Sequence, residues 1–208
     1  MFNTKSLELF RKKFNEQLIK ECKGKKILVL LSGGLDSRAI LSTLSMNDID
    51  FHALTHSEKN KIRKDIKISK KIFKKNENIK KHHILFFEDK KDLFIKYREI
   101  TKDYDIILNG ILMSGLFDKY EHIELSEKEL NKRIRKEYET ISSWKQHFEK
   151  MYFPAESKEI IQSLEEIPIF YRFFHFPQKY IIEKNKKDLM KIEYTTYNVR
   201  KRFFRLIH

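Results

Sequence analysis

An α/β fold, a parallel sheet flanked by helices, is what this sequence predicts, and three observations predict it. Short apolar runs at Lys26 to Leu31, Ile49 to Thr55, His83 to Phe87 and Asp105 to Leu108 read as strands, and each is followed by a helix-like stretch. Strand-then-helix order repeated in this way implies parallel strands covered on both faces. The first of these runs empties into two adjacent glycines and then a new helix, a local pattern common where a parallel strand turns into its crossover. Finally, 40% hydrophobic and 13% aromatic residues, in a chain of 208, are enough for a buried core despite 36% charged residues.

Taken in order, Leu7, Phe10, Phe14 and Leu18 form one stripe of a leading helix that Gly24 is placed to end. Ile27, Leu28, Val29, Leu30 and Leu31 suit a strand buried on both faces. Asp36 is expected to open the next helix as its cap, with Ala39, Ile40, Leu41 and Leu44 facing the core. Ile62, Ile66 and Phe73 recur at helical spacing through a third helix. Beyond about Tyr120 the strand signal stops, and Ser126 to Lys150 and Ser157 to Glu166 read as helices, so residues 1–120 form the α/β core and 121–208 a helical C-terminal part.

The chemistry is expected to begin at Ser32-Gly-Gly-Leu-Asp-Ser37. Glycines at 33 and 34 let main-chain amides approach a ligand without side-chain obstruction, and the positive end of the following helix converges on the same place. An anion such as phosphate or pyrophosphate fits there. The bare alternative is a tight strand-to-helix turn. The hexapeptide lacks the lysine and spacing of a Walker loop and the third glycine of a dinucleotide fingerprint. Ligands of parallel sheets lie at the carboxyl ends of the strands, where Thr55 to Ser57 and Asn109-Gly110 are expected to join the first loop.

No apolar run approaches the roughly 18 to 20 residues that a membrane helix needs, and Met1 to Lys5 lacks the apolar core of a signal peptide. A cytoplasmic protein without membrane partners is therefore expected. The single cysteine, Cys22, excludes an internal disulfide framework and a cysteine zinc cage and reads as a buried thiol. The net charge is +14, and eleven basic residues fall between Lys59 and Lys81. They read either as the solvated face of an amphipathic helix or as a surface for tRNA or nucleotides.

The loop Ser32 to Ser37 resembles the pyrophosphatase loop of the N-type ATP pyrophosphatases, the PP-loop superfamily with its adenine nucleotide alpha hydrolase-like fold. With Phe51-His-Ala-Leu-Thr-His56, Asp65 in Lys64 to Phe73, and His82-His83, the chain is similar to the synthetase domain of asparagine synthetases and their relatives. Gly110-Ile-Leu-Met-Ser-Gly-Leu-Phe-Asp-Lys-Tyr120 lies over that family's segment Gly-Glu-Gly-Gly-Asp-Glu-Leu-Phe-Gly-Gly-Tyr. Phe153-Pro-Ala-Glu-Ser157 sits where the family has Val-Pro-Phe-Leu-Asp, and Lys179 to Tyr194 look like its closing helices.

The resemblance implies an AMP-forming carbon-nitrogen ligase of the asparagine biosynthesis type, which adenylates a small carboxylate with ATP and Mg2+ and releases pyrophosphate. It implies that Leu31, Ser32, Gly33, Gly34, Ser37, His56, Asn109 and Gly110 bind the nucleotide and that Asp36 holds the metal. It assigns no catalytic side chain. For His56 a purely local hydrogen-bonding role stands beside the binding one. The family's metal-binding aspartate and its neighbouring glutamate are replaced by Ser114 and Gly115, with Asp118 the nearest acid; Arg200-Lys-Arg202 is the one candidate for a late Arg-x-Lys segment. Position 2 is Phe2, where glutamine-hydrolysing members carry a cysteine, so nitrogen is expected from free ammonia, another amine or a separate ammonia-supplying subunit. A nucleotide-binding regulator without turnover and a tRNA-modifying ATPase are the other readings.

Overall fold

The structure, a computed structural model, describes residues 4–59, 64–110, 127–168, 171 and 175–194. It is α/β, with five parallel strands in the order β3-β2-β1-β4-β5. The strands are β1 (Ile27–Leu30), β2 (Phe51–Glu58), β3 (Ile79–Phe87), β4 (Ile106–Leu108) and β5 (Met151–Tyr152). Seven α-helices flank them among the described residues: α1 (Lys5–Cys22), α2 (Leu35–Met46), α3 (Lys64–Lys75), α4 (Lys90–Thr101), α5 (Glu127–His147), α6 (Lys158–Glu165) and α7 (Phe176–Lys186). None of these helices is long and apolar enough to cross a membrane.

The leading helix buries the stripe its spacing predicts: Leu7, Phe10, Phe14 and Leu18 are all inside, and Cys22 extends the line by one turn. Burial pushes the Cys22 thiol up to about 12, so at neutral pH it is an inert thiol. Gly24 follows with φ +71, and open space surrounds the position of its missing Cβ. Its requirement is thus backbone conformation rather than room. All four residues of β1 are buried, as a central parallel strand demands.

Several boundaries differ from the sequence expectation. Asp36 is not the cap of α2: Gly34 holds that position in extended conformation, and Asp36 is the second residue of the helix. The strand β2 runs on to Glu58, because Thr55, His56, Ser57 and Glu58 pair in register with Ile84, Leu85, Phe86 and Phe87. Their polar side chains disguise a strand that is still laddered. The strand β3 begins at Ile79, four residues earlier than expected, since Lys80 and Lys81 project into solvent while the backbone pairs with β2. In α3 the core stripe is Ile68 and Ile72, with Ile66 half-buried and Phe73 exposed; Ile62 lies outside the described residues. Lys80 and Lys81 therefore belong to a strand and not to that helix.

The C-terminal part is not wholly helical. Met151 and Tyr152 pair with Ile107 and Leu108, so residues beyond 120 contribute the edge strand of the same sheet. Two residues are too few to show alternation. The expected helices around them are present as α5 and α6, the latter capped by the Ser157 hydroxyl, which accepts the Ile160 N–H at 3.4 Å. Phe94 and Tyr97 of α4 pack edge to face and tilted against Trp144 and Phe148, which fixes α5 to this layer. On the other side α1, α2 and α7 pack together.

Candidate functional site

The strand order reverses between β1 and β4: β1, β2 and β3 step to one side, and β4 returns to the other. Loops leaving such neighbours diverge to opposite faces and open a crevice beyond their carboxyl ends. The segments entering this crevice are Ser32 to Ser37 after β1 and Asn109-Gly110 after β4, so the topology brings together two of the three segments expected there. They meet closely. A Cβ added to Gly110 would stand 3.0 Å from Asp36 Cβ and 3.2 Å from both the Asp36 carbonyl carbon and the Ser37 nitrogen.

The loop is braced by its own side chains. Leu31, buried, donates its N–H to the Leu54 carbonyl at 2.8 Å and accepts the Thr55 hydroxyl at 2.8 Å, which pins the strand end. Ser37 Oγ accepts the Ser32 N–H at 3.2 Å and lies 3.1 Å from Ser32 Oγ, which in turn accepts the Gly34 N–H at 3.1 Å. The Gly33 N–H goes to Asp65 Oδ1 at 2.9 Å. Three amides of the expected anion cradle are therefore held by Ser37, Asp65 and Ser32. An arriving phosphate has to exchange with these oxygens; Ser32 is itself exposed and so is the simplest to turn aside.

Asp36 lies half-buried in the first turn of α2, where the helix's positive end favours a carboxylate. Its Oδ1 accepts the Gln178 side-chain N–H at 3.1 Å. Among the described residues no group of three or more His, Cys, Asp or Glu side chains is arranged to hold a metal ion. A magnesium ion, however, is commonly held by one or two carboxylates with substrate phosphates filling its shell, and Asp36 beside the Ser32 to Ser37 loop fits that requirement. Ser114, Gly115, Asp118 and Arg200-Lys-Arg202 lie outside the described residues.

The other expected site residues have mixed positions. Asn109 is buried; its N–H joins the ladder to the Tyr152 carbonyl at 3.0 Å and its amide nitrogen approaches Met151 Sδ at 3.5 Å, so its side chain reaches toward β5. His56 is inside β2 rather than in a loop, and its Nδ1 lies 2.6 Å from the Tyr97 hydroxyl of α4. Thr55, adjacent on the strand, faces the other way, and its Oγ1 meets His82 Nε2 at 2.9 Å. The His56 ring is thus committed to the α4 layer, between Phe87 and Tyr97.

Two residues the sequence reading did not single out complete the arrangement. Arg38, fully buried in α2, donates to the carbonyls of Leu189 at 3.0 Å, Ile192 at 2.7 Å, Gly33 at 3.2 Å and Glu193. Because a trans peptide sets its C=O and N–H in opposite directions, anchoring the Gly33 carbonyl inward turns the Gly34 N–H outward. Burial lowers the Arg38 guanidinium to about 10, with Tyr194 and Glu193 opposing the shift, so it is charged at neutral pH. A lone arginine before Ala39-Ile40-Leu41 was the available signal. Gln178 gave none, because a single glutamine beside Lys179 at the start of a helix looks solvated.

The basic residues Lys64, Lys67, Lys70, Lys71, Lys74 and Lys75 of α3 are exposed, and Lys64 and Lys71 both pair with Glu193, at 3.5 and 3.0 Å. No protein-family model matches this sequence, and its comparison with curated proteins returns no match.

Proposed function

We propose that the chain binds ATP with Mg2+ in the crevice between the ends of β1 and β4 and transfers the adenylyl group to a small carboxylate. The observation that carries this reading is the position of Ser32-Gly-Gly-Leu-Asp-Ser37: the loop joins a central strand to a helix N-terminus where the strand order reverses. There its amides and the helix dipole act together on an anion. The resemblance of this hexapeptide to a pyrophosphatase loop supports ATP over other phosphate ligands.

In this reading a carboxylate oxygen attacks the α-phosphorus, the bond between the α-phosphorus and the bridging oxygen to the β-phosphorus breaks, and pyrophosphate leaves with that oxygen. Amides of Gly33 and Gly34 with the hydroxyls of Ser32 and Ser37 stabilise the charge that grows on pyrophosphate. Magnesium, held by Asp36, supplies further charge neutralisation when bound. Leu31, Asn109 and Gly110 contribute main-chain surface beside the nucleoside.

Calorimetric titration of ATP with Mg2+, together with pyrophosphate release in pooled amino acids and ammonia, tests the proposal. Asp36→Asn is expected to weaken Mg2+-dependent ATP binding by about tenfold. Gly34→Val is expected to abolish it without straining the backbone: Gly34 is in extended conformation, and a Cβ there would meet Ser32 Oγ at 3.3 Å and crowd the cradle. Unchanged affinity in both variants removes this pocket from consideration. A second reading, a nucleotide-binding regulator without turnover, is favoured by Ser114 and Gly115 at the places of the family's acidic pair. ATP binding without pyrophosphate release selects it.

A further inference from the structure

Two lysines of α3 converge on one carboxylate beside the Ser32 to Ser37 loop. Lys71 Nζ donates to Glu193 Oε1 at 3.0 Å, and Lys64 Nζ lies 3.5 Å from Glu193 Oε2. The two lysines stand two turns apart, about 10 Å along the helix axis, so their side chains lean toward each other to share the acid. The Lys71 hydrogen bond, then the charges of Lys71 and Lys64, hold the Glu193 carboxyl below its ordinary value, and it is ionised at neutral pH. An anion thus sits between two ammonium groups.

The backbone fixes where this anion lies. One Arg38 nitrogen, Nη2, donates to both the Glu193 carbonyl and the Gly33 carbonyl. Asp65, next to Lys64 in the first turn of α3, accepts the Gly33 N–H at 2.9 Å. The N-termini of α2 and α3 therefore meet at this loop, and both favour negative charge there. Residues 187–194 approach it along α3: Lys186 pairs at 3.8 Å with Glu77, beyond the far end of that helix, and Glu193 reaches Lys64 in its first turn.

Tethering does not account for the shared carboxylate. Arg38 already holds the segment from a buried position through the carbonyls of Leu189, Ile192 and Glu193. Lys64, Lys71 and Glu193 are all exposed, and ion pairs so open to water contribute little to stability. Such a pairing also parts easily. A phosphate group carries more charge and more acceptor oxygens than a carboxylate, so it competes well for the same two ammonium groups.

We propose that Lys64 and Lys71 bind the terminal phosphate of the nucleotide and that Glu193 occupies their ammonium groups until it arrives. The inference rests on the nucleotide reading of the crevice and deepens it, because it assigns the residues that distinguish a nucleoside triphosphate from a monophosphate.

The test is the ratio of ATP to AMP affinity, measured on the full chain by calorimetry at low salt. Lys64→Gln and Lys71→Gln are each expected to lower ATP affinity about threefold or more. Glu193→Gln, which frees both lysines, is expected to raise it about two- to fivefold, with AMP affinity the same in all three variants. Asp188→Asn removes one negative charge from the same segment, where Asp188 pairs with Lys191 at 2.7 Å, and is expected to leave the ratio unchanged. With both lysines replaced by glutamine, the gain from Glu193→Gln is expected to vanish. Exposed substitutions of this kind leave the fold intact. A ratio unmoved by the lysine variants, or raised as much by Asp188→Asn as by Glu193→Gln, overturns the proposal. Where AMP binds too weakly to register, ATP affinity against the Asp188→Asn control decides. Absence of binding of both ATP and AMP by the unaltered protein instead removes the nucleotide reading of the crevice, and this inference with it.

Discussion

Gly110 stands against Asp36 with no room for a side chain between them: the nearest positions a Cβ would meet are Asp36 Cβ at 3.0 Å and the Asp36 and Ser37 backbone at 3.2 Å. The end of β4 and the start of α2 are therefore in direct contact, and the width of the crevice is set by that contact. Two of the three obstructing atoms belong to the main chain, which cannot swing away as a flexible side chain could. Gly110→Ala is expected to destabilise the protein by about 1–3 kcal/mol through overpacking and to weaken ATP binding as the two loops separate. Urea unfolding and calorimetry measure the two effects; an unchanged unfolding midpoint contradicts the contact.

Asp65 holds the Gly33 N–H at 2.9 Å, placing a carboxylate on an amide that the proposed function assigns to pyrophosphate. A charged acceptor makes a stronger hydrogen bond than a neutral one, and its charge repels an incoming phosphate. Asp65→Asn keeps an oxygen for the amide while removing that charge. It is expected to tighten pyrophosphate binding about two- to fivefold at low salt, with the gain shrinking as salt rises. Weaker pyrophosphate binding in this variant would mean that Asp65 braces the loop without competing for its amide.

Much of this architecture was legible because apolar periodicity reports buried faces directly. The Leu7, Phe10, Phe14 and Leu18 stripe and the Ile27 to Leu30 strand are apolar at every position, although α1 also buries Asn15 beside its stripe. The reading failed where polar residues do structural work in a ladder. His56 to Glu58 and Lys80 to His82 are strand residues, and Met151-Tyr152 is too short to carry a period. At the site, Ser32 to Ser37 was readable because glycines and a helix start are local signals. Arg38 and Gln178 were not, since their partners, Leu189 to Glu193 in one case and Asp36 in the other, lie more than a hundred residues away in sequence.

Arg38 bonds the carbonyls of Gly33, Leu189, Ile192 and Glu193 from a fully buried position, and so ties the Ser32 to Ser37 loop to the segment after α7. Lysine cannot reproduce this planar fork. Arg38→Lys is expected to lose about 2 kcal/mol or more of stability because several dry carbonyls lose their donors. It is also expected to raise amide exchange at Gly34, whose orientation depends on the anchored Gly33 carbonyl. Hydrogen exchange that accelerates only after Leu189, with Gly34 unchanged, would show that the guanidinium holds the C-terminal segment alone.

His82 provides a pH dependence whose direction follows from its surroundings. The Thr55 hydroxyl is spent on the Leu31 carbonyl, so its oxygen accepts the His82 Nε2–H at 2.9 Å, and the imidazole is neutral. Burial, then His83 and Lys70, push His82 down to about 4 from an ordinary value of 6.5. The unfolded chain takes up this proton as pH falls through about 6.5, whereas the folded chain resists until about 4. Stability from His82 is therefore complete above about 6.5 and is lost progressively between about 6.5 and 4. His52 and His83, both lowered first by burial, act in the same direction. His82→Gln can still donate to Thr55 but does not titrate, so its urea midpoint is expected to vary less across that window than that of the unaltered protein. Parallel curves for the two proteins would place His82 in water, and would remove the hydrogen-bonded link from β3 through Thr55 to Leu31 at the root of the Ser32 to Ser37 loop.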